Sequence, residues 1–345
     1  MTVFSHRSFD DHQSVHFHAD GGLKAIIAIH NTVRGPAVGG CRMWPYGDDD
    51  AALTDALRLS HGMTLKSALA EMPFGGGKSI VIGDPARDKS PALWRAMGRF
   101  VESLGGRYIV AEDVGTSPAD MEIIRRETRF VAGIEEGGSG DPSPATAWGV
   151  FMGIKAALET RFGRGDPSGV RVAVQGLGHV GLALCGLLAE AGAVLVVADL
   201  DAGLVARAGR DYGAAPVAAD AIYDQAVDVF SPCAMGTILD DQTIARLKAA
   251  IIAGSANNQL AESRHGEALM RAGILYAPDY AINAGGIINI SHEGPDYDRD
   301  RAFAHVARIH GTLLTIFARA RANGNATNEA ANRIARGRIQ AANNA

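Results

Sequence analysis

Between residues 14 and 31 apolar and polar positions alternate and then close up into Leu23-Lys24-Ala25-Ile26-Ile27-Ala28-Ile29-His30, which predicts a strand pair turning at Asp20-Gly21-Gly22. From 51 to 69 the period lengthens. Leu53, Ala56, Leu57, Met63 and Leu65 recur at helical spacing behind Asp48, Asp49 and Asp50, acids that suit a helix N-terminus. Residues 35–42 between these two segments read as a glycine-rich loop. Residues 91–104 carry Leu93, Met97, Phe100, Val101 and Leu104 on one stripe, with Ser90 as N-cap and Pro91 at the first helical position. Tyr108-Ile109-Val110-Ala111 reads as a strand that runs into Glu112 and Asp113. Residues 137–144 are linker-like and mark a domain boundary, with Ser143 as N-cap and Pro144 opening a helix to about 160. Beyond 170 strand and helix patterns alternate: strands at 170–175, 194–198, 227–230, 251–254 and 274–276, then a glycine-containing segment at 283–290 and helices over about 299–322 and 328–341. The fold class expected is α/β in two domains.

Composition narrows the class without naming it. A chain of 345 residues, 47% hydrophobic and 21% charged, suits two ordinary globular domains. A net charge of −5 gives no reason to expect a nucleic-acid or anionic-membrane partner. Cys41, Cys185 and Cys233 are odd in number and far apart, which fits a reducing compartment and no disulfide framework. The N-terminus has no signal-peptide pattern and no run of about 18 apolar residues occurs, so a cytoplasmic location is expected. His16, His18 and Asp20 share one face of a strand, but no further ligand cluster accompanies them. They read as an exposed strand face, and no metal is expected.

Two stretches carry candidate chemistry. Gly176-Leu177-Gly178-His179-Val180-Gly181 follows a strand, opens a helix and meets an acid, Asp199, 23 residues after Gly176. In that context the first glycine makes the tight turn, the second lets the backbone reach a pyrophosphate, and the third lets helix and strand pack. The phosphate then sits on the helix N-terminus. Asp199 suits the ribose hydroxyls and would repel a 2′-phosphate, so NAD is expected over NADP. The second stretch, residues 62–85, places Lys66 and Lys78 twelve apart, with Gly75, Gly76 and Gly77 before Lys78 as a loop that could close over it. Taken alone, both lysines could be solvated surface groups. Gly77-Lys78-Ser79 also looks like the end of a P-loop, but the earlier glycine would fall at Met72 and the following run is strand-like.

The lysine stretch, Ala111-Glu112-Asp113-Val114-Gly115-Thr116, the glycine fingerprint and Asn283-Ala284-Gly285-Gly286 occur in the same order as in the amino-acid dehydrogenases. From about residue 14 to 341 the chain resembles the leucine/valine/phenylalanine branch of the Glu/Leu/Phe/Val dehydrogenase family. The resemblance implies a substrate-binding and oligomerisation domain over 1–142, a Rossmann-type NAD-binding domain over 143–322 and a C-terminal helix, 323–345, returning to the first, with an active-site cleft between the domains. It implies NAD-dependent oxidative deamination of a hydrophobic L-amino acid to the 2-oxo acid and ammonia, by a homo-oligomer. Lys66 then corresponds to the lysine for the substrate carboxylate, Lys78 to the lysine that activates water, and Asp113 to the acid that exchanges protons with the amino group. A base role asks for a lowered lysine pKa, and Lys66 is expected to be the nearby cation that lowers it. Gly39 and Gly40 line the substrate, Thr146 and Asn258 lie near the nicotinamide, and Cys233 and Ala234 join the cofactor contacts. Val38, Ala111, Ile287 and Ile290 form the side-chain pocket. The glutamate-using relatives carry a lysine and a serine at the positions of Val38 and Ile290, so glutamate should be rejected, and leucine, valine or isoleucine fits. Val38 is smaller, and Ile287 and Ile290 bulkier, than the residues common in the leucine enzymes, which leaves phenylalanine or tryptophan open. A non-catalytic NAD-binding protein or a 2-hydroxy-acid dehydrogenase would have no use for the lysine pair and Asp113 together.

Overall fold

A computed structural model of the chain describes residues 3–20, 22–134, 139–234, 236–294 and 296–344. Gly21 of the expected first turn and Gly137 and Gly138 of the expected boundary loop lie outside the described residues. The chain divides into two compact α/β units. One comprises the chain up to Asp141 with Ile290–Tyr297 and the chain from Ala335; the other comprises Pro142–Asn289 and Asp298–Ile334. The first unit thus includes Ile290–Tyr297, which the sequence reading assigns to the second, and takes the C-terminal chain from Ala335 rather than from 323.

The first unit is built on β1 (Ser14–Asp20), β2 (Leu23–Asn31), β3 (Ala37–Trp44), α1 (Asp49–Leu69), β4 (Gly75–Ile82), α2 (Pro91–Glu102), β5 (Tyr108–Glu112) and α3 (Pro118–Arg125). Its five-stranded sheet runs β1-β2-β4-β3-β5. β1, β2 and β4 pair antiparallel, whereas β3 pairs parallel with both β4 and β5. Both sheet faces are covered, which is why β2 reads as a nearly unbroken apolar run. Leu23, Ala25, Ile27 and Ile29 pack with Leu93, Trp94, Met97, Phe100 and Ile124 of α2 and α3. Ile26, Ala28 and Ile80 face Ala52, Ala56 and Leu57 of α1. α1 is capped by Asp48, whose carboxylate accepts from Ala51 N–H at 2.7 Å, and Arg338 donates to the carbonyls of Ala68 and Leu69 at its other end.

Two expected loops are strands. Residues 37–44, which take in most of the supposed glycine-rich loop at 35–42, form β3 between β4 and β5, and Gly75, Gly76 and Gly77 open β4. Their glycines serve close approach rather than turning. A methyl at Gly39 would overlap the Gly77 carbonyl oxygen, and one at Gly76 would overlap the backbone of Thr64 on α1. The P-loop alternative fails on the same observation, since Lys78 lies inside β4 and no helix begins there.

In the second unit α4 (Ser143–Phe162), β6 (Arg171–Gln175), α5 (His179–Glu190), β7 (Val194–Ala198), α6 (Ala202–Tyr212), β8 (Ala215–Pro216), β9 (Val229–Pro232), α7 (Asp241–Arg246), β10 (Ile251–Ile252), α8 (His265–Arg271) and β11 (Leu275–Tyr276) alternate. All pairings are parallel in a six-stranded sheet ordered β11-β10-β9-β6-β7-β8. Counted within the unit, that is the 3-2-1-4-5-6 order of a doubly wound dinucleotide fold, whose ligand site lies where the order reverses, beyond β6 and β9. α4 begins at Ser143 itself, capped by Pro142 without a side-chain bond, one residue earlier than expected. The 283–290 segment follows α9 (Asp279–Ile282) as a further helix, α10 (Gly285–Ile290). The helix expected at 299–322 is two, α11 (Arg299–Ala307) and α12 (Ile309–Asn323), parted where Arg308 N–H bonds His305. α13 spans Thr327–Asn343.

Candidate active site

Strand alternation assembles the candidate site of the first unit. Side chains two apart in a strand share a face, so Val38, Gly40 and Arg42 of β3 point the same way. Gly76 and Lys78 of β4 lie on that α1-facing side, as do Ala111 at the end of β5 and Asp113 just beyond it. Gly40 pairs with Ala111, and β3 separates Lys78 from Asp113. The two charged groups can meet only over a residue with no side chain. A methyl at Gly40 would lie 2.6 Å from Asp113 Cβ. Across this gap Lys78 Nζ donates to Asp113 Oδ2.

Arg42 Nε donates to the same Oδ2 at 3.2 Å, and its Nη1 donates to Asp55 of α1 at 2.9 Å. Asp55 also accepts from Tyr46 OH at 2.5 Å. A line of alternating charge therefore runs from Lys78 through Asp113 and Arg42 to Asp55. Burial alone would raise the pKa of Asp113. Lys78 and Arg42, two cations on one carboxylate, outweigh it and hold the group at about 2. Burial and the bond to Asp55 push the Tyr46 phenol up. The Thr116 hydroxyl helps fix the carboxylate's loop: Asp113 N–H donates to Thr116 Oγ1 at 2.9 Å.

Lys78 is buried, 5% exposed. Its hydrogen-bonded neighbour is the Asp113 carboxylate. Lys66 lies in the last turn of α1, two residues after Thr64, which packs on Gly76. Val38 has no exposed surface and Ala111 has 4%. Ile290 is partly exposed, with Cδ1 beside Gly133 in the first unit. Ile287 belongs to α10 of the second unit and is also partly exposed. Arg42 and Asp55 escaped the sequence reading. Reading 35–42 as a loop hid the strand spacing that sets Arg42 on the same face as Gly40.

In the second unit the candidate dinucleotide site lies at the switch point. Gly176 has φ +93°, a conformation that favours glycine, and a methyl there would lie 2.6 Å from Ala234 N, so the loops after β6 and β9 are in contact. Cys233 N–H donates to Gln175 O at 2.7 Å, closing that junction. A methyl at Gly181 would overlap the Gly176 carbonyl oxygen, which makes it the packing glycine. At Gly178 a methyl would meet nothing within 4 Å. Gly178 caps α5 without a side-chain acceptor, ahead of His179 and Val180, so the first N–H groups of that helix can face an anion. A cradle with room at the second glycine and contact at the first and third fits a nicotinamide dinucleotide's pyrophosphate. Asp199 accepts from Leu177 N–H at 2.6 Å and Asp201 N–H at 2.8 Å, so it also fixes the glycine loop. Thr146 donates to Pro142 O at 3.0 Å, and Gly286 packs on its hydroxyl. Asn258 holds φ +52° and its N–H donates to Asp279 at 2.7 Å, a strained conformation of the sort found at functional sites. Among the described residues, no helix is long and apolar enough to cross a membrane.

Comparison with known proteins gives a consistent answer along the whole chain. The profile of the Glu/Leu/Phe/Val dehydrogenase dimerisation domain matches residues 11–130, and that of glutamate/leucine/phenylalanine/valine dehydrogenase matches 137–215 and 210–345. The chain is 51% identical to leucine dehydrogenase of Geobacillus stearothermophilus over 344 residues, 99% of this chain and 94% of the relative. L-tryptophan dehydrogenase of Nostoc punctiforme is 51% identical over 318 residues, 92% of this chain and 90% of the relative. The solved structure of an L-tryptophan dehydrogenase from Nostoc punctiforme superposes with TM-score 0.85 at 47% identity, covering 97% of each chain. A hetero-hexameric glutamate dehydrogenase from Thermus thermophilus superposes with TM-score 0.77 at 25% identity, covering 96% of this chain and 89% of the other. The chain belongs to the Glu/Leu/Phe/Val dehydrogenase family and is an amino-acid dehydrogenase that uses a nicotinamide dinucleotide.

Proposed function

We propose that the protein oxidatively deaminates branched aliphatic L-amino acids (leucine, valine or isoleucine) with NAD+ and water, giving the 2-oxo acid, ammonia and NADH. The observation that carries the catalytic half is the meeting of Lys78 and Asp113 over Gly40. Lys66 pairs with the substrate α-carboxylate. Lys78 orients the attacking water and stabilises charge on the carbinolamine. Asp113 exchanges a proton with the substrate nitrogen, and the Lys78–Asp113 contact lets one proton pass between them. Arg42 keeps that carboxylate ionised between turnovers. Gly39 and Gly40 bring main chain to the substrate. Gly176, Gly178, His179, Val180 and Gly181 hold the pyrophosphate, with Cys233 and Ala234 beside it. Asp199 takes the ribose, and Thr146 and Asn258 lie by the nicotinamide. The bound dinucleotide supplies the hydride acceptor.

Substrate choice rests on Val38, Ala111, Ile287 and Ile290, which offer no partner to a side-chain carboxylate, so glutamate would bury an unpaired charge. The relatives named leucine dehydrogenase support the aliphatic reading, and those named L-tryptophan and phenylalanine dehydrogenase supply the second one. NAD over NADP follows from Asp199, reinforced by Asp201 two residues on. We also propose a cytoplasmic homo-oligomer. β1 is a sheet edge with Phe17 56% exposed, inside the matched dimerisation domain. Purified protein given NAD+ or NADP+ with leucine, valine, isoleucine, phenylalanine, tryptophan and glutamate tests the reading. Reduction of NAD+ is expected with the aliphatic set at the highest kcat/KM. A preference for glutamate or an aromatic substrate overturns the pocket, and no reduction with any of them overturns the activity.

A further inference from the structure

Three segments far apart in the chain converge beside α1. Asp10 precedes β1, His30 is the penultimate residue of β2, and His61 lies on α1. One ligand atom from each falls within 4.8 Å of the other two. His61 Nδ1 and Asp10 Oδ2 are 3.7 Å apart. Two donors on a tetrahedral zinc with bonds of about 2.1 Å stand roughly 3.4 Å apart, so this pair is already near coordination spacing.

We propose that Asp10, His30 and His61 form a binding site for one divalent transition cation of the zinc, cobalt and nickel class. The donor set is two imidazole nitrogens and one carboxylate oxygen, a borderline set that suits these ions and leaves positions for water. His30 Nδ1 is 2.8 Å from Thr64 Oγ1. Donating there fixes the tautomer with a lone pair on Nε2, the outer-shell arrangement that orients metal-binding histidines. His12 packs edge-on against His30, with ring centroids 4.7 Å apart. Its own nitrogens contact the Asp10 carbonyl, the Leu57 carbonyl and Ser60 Oγ, so it walls the site rather than joining it. Two features oppose binding. Arg336 is a nearby cation. The His30 and His61 rings stack at 15°, with centroids 4.6 Å apart, so His61 must turn for the ion to lie in both ring planes. Its side chain is 29% exposed and Asp10's is 49% exposed, which gives both room to move. A bound ion would tie the segment before β1 to β2 and to α1.

The test uses full-length protein freed of metal by chelator. Co2+ is titrated and read by visible absorption, then displaced by Zn2+. Saturation at one Co2+ per chain is expected, with release by Zn2+. Asp10→Asn and His61→Gln should each weaken binding by on the order of tenfold or more. His16→Gln, on β1 and bonded to Ser14, should leave it unchanged. Asp10→Asn alters an exposed side chain, and circular dichroism checks that it folds. No saturable site, affinity kept in either Asp10→Asn or His61→Gln, or loss in His16→Gln overturns the proposal.

Discussion

The two units use glycine for opposite purposes. In the first unit Gly40 sits mid-strand, and its missing side chain lets Lys78 and Asp113 touch across β3. In the second, Gly178 caps a helix, and its missing side chain leaves space that no described residue fills. On the proposed function, one glycine serves the protein's own side chains and the other serves a ligand. A site built from side chains on three strands therefore depends on the sheet being intact, whereas a phosphate cradle depends on one turn and one helix end. The strongest test of the first half is Lys78→Ala. Turnover is expected to fall by about 10²–10⁴-fold, the range for a lost proton-transfer group, while NAD+ affinity measured by fluorescence titration stays within about twofold. Retained kcat would remove Lys78 from the chemistry.

Gly40→Ala and Gly178→Ala set the halves against each other. The first forces a methyl against Asp113, which must shift. Overpacking of this kind costs about 1–3 kcal/mol, and separating the pair should lower kcat by roughly a hundredfold. The loss in thermal midpoint should be present without any ligand. Gly178→Ala should leave the ligand-free midpoint unchanged and raise the KM for NAD+ by about tenfold, on the order of 1.4 kcal/mol, because only the pyrophosphate meets the new methyl. Equal destabilisation by both substitutions would erase the distinction.

That contrast also explains what the sequence made legible. The dinucleotide half was readable because its determinants are contiguous: strand, Gly176-Leu177-Gly178-His179-Val180-Gly181, helix, then Asp199 at the end of the next strand. The substrate half is spread over β3, β4 and β5, and glycines there resemble loop residues. Counting them as punctuation turned residues 35–42, most of β3 among them, into a loop and hid Arg42. The alternation of Arg42 with Gly40 and Val38 was present, but it carries meaning only once β3 is known to lie between Lys78 and Asp113. α3 was missed although Ser117-Pro118 repeats the cap-and-proline signal used for Ser90-Pro91. The Asp10, His30 and His61 cluster had no spacing to read, because each residue comes from a different element. The triad that did have spacing is engaged elsewhere: His16 bonds Ser14, and His18 stacks on Phe100.

The smallest effect concerns Arg42, the side chain that shares Asp113 with Lys78. Asp113 is held at about 2 against an ordinary 3.8, so its ion pairing stabilises the fold fully above that ordinary value. The contribution is lost as pH falls from about 3.8 toward 2, because the unfolded chain takes up the proton first. Arg42→Met removes one of the two cations while Lys78 remains. The folded-state pKa then rises toward the ordinary value, and the stabilisation available at neutral pH shrinks. Urea midpoints should show the variant below the parent at pH 7. The gap should narrow as pH falls through that window, because the parent has more pairing to lose. Asp55→Asn acts one step further out. It leaves Arg42 on Asp113 and should shift the same curve less. A gap that stays constant from pH 7 to the acid side would mean that Arg42 acts through packing alone, and that Lys78 by itself keeps Asp113 ionised.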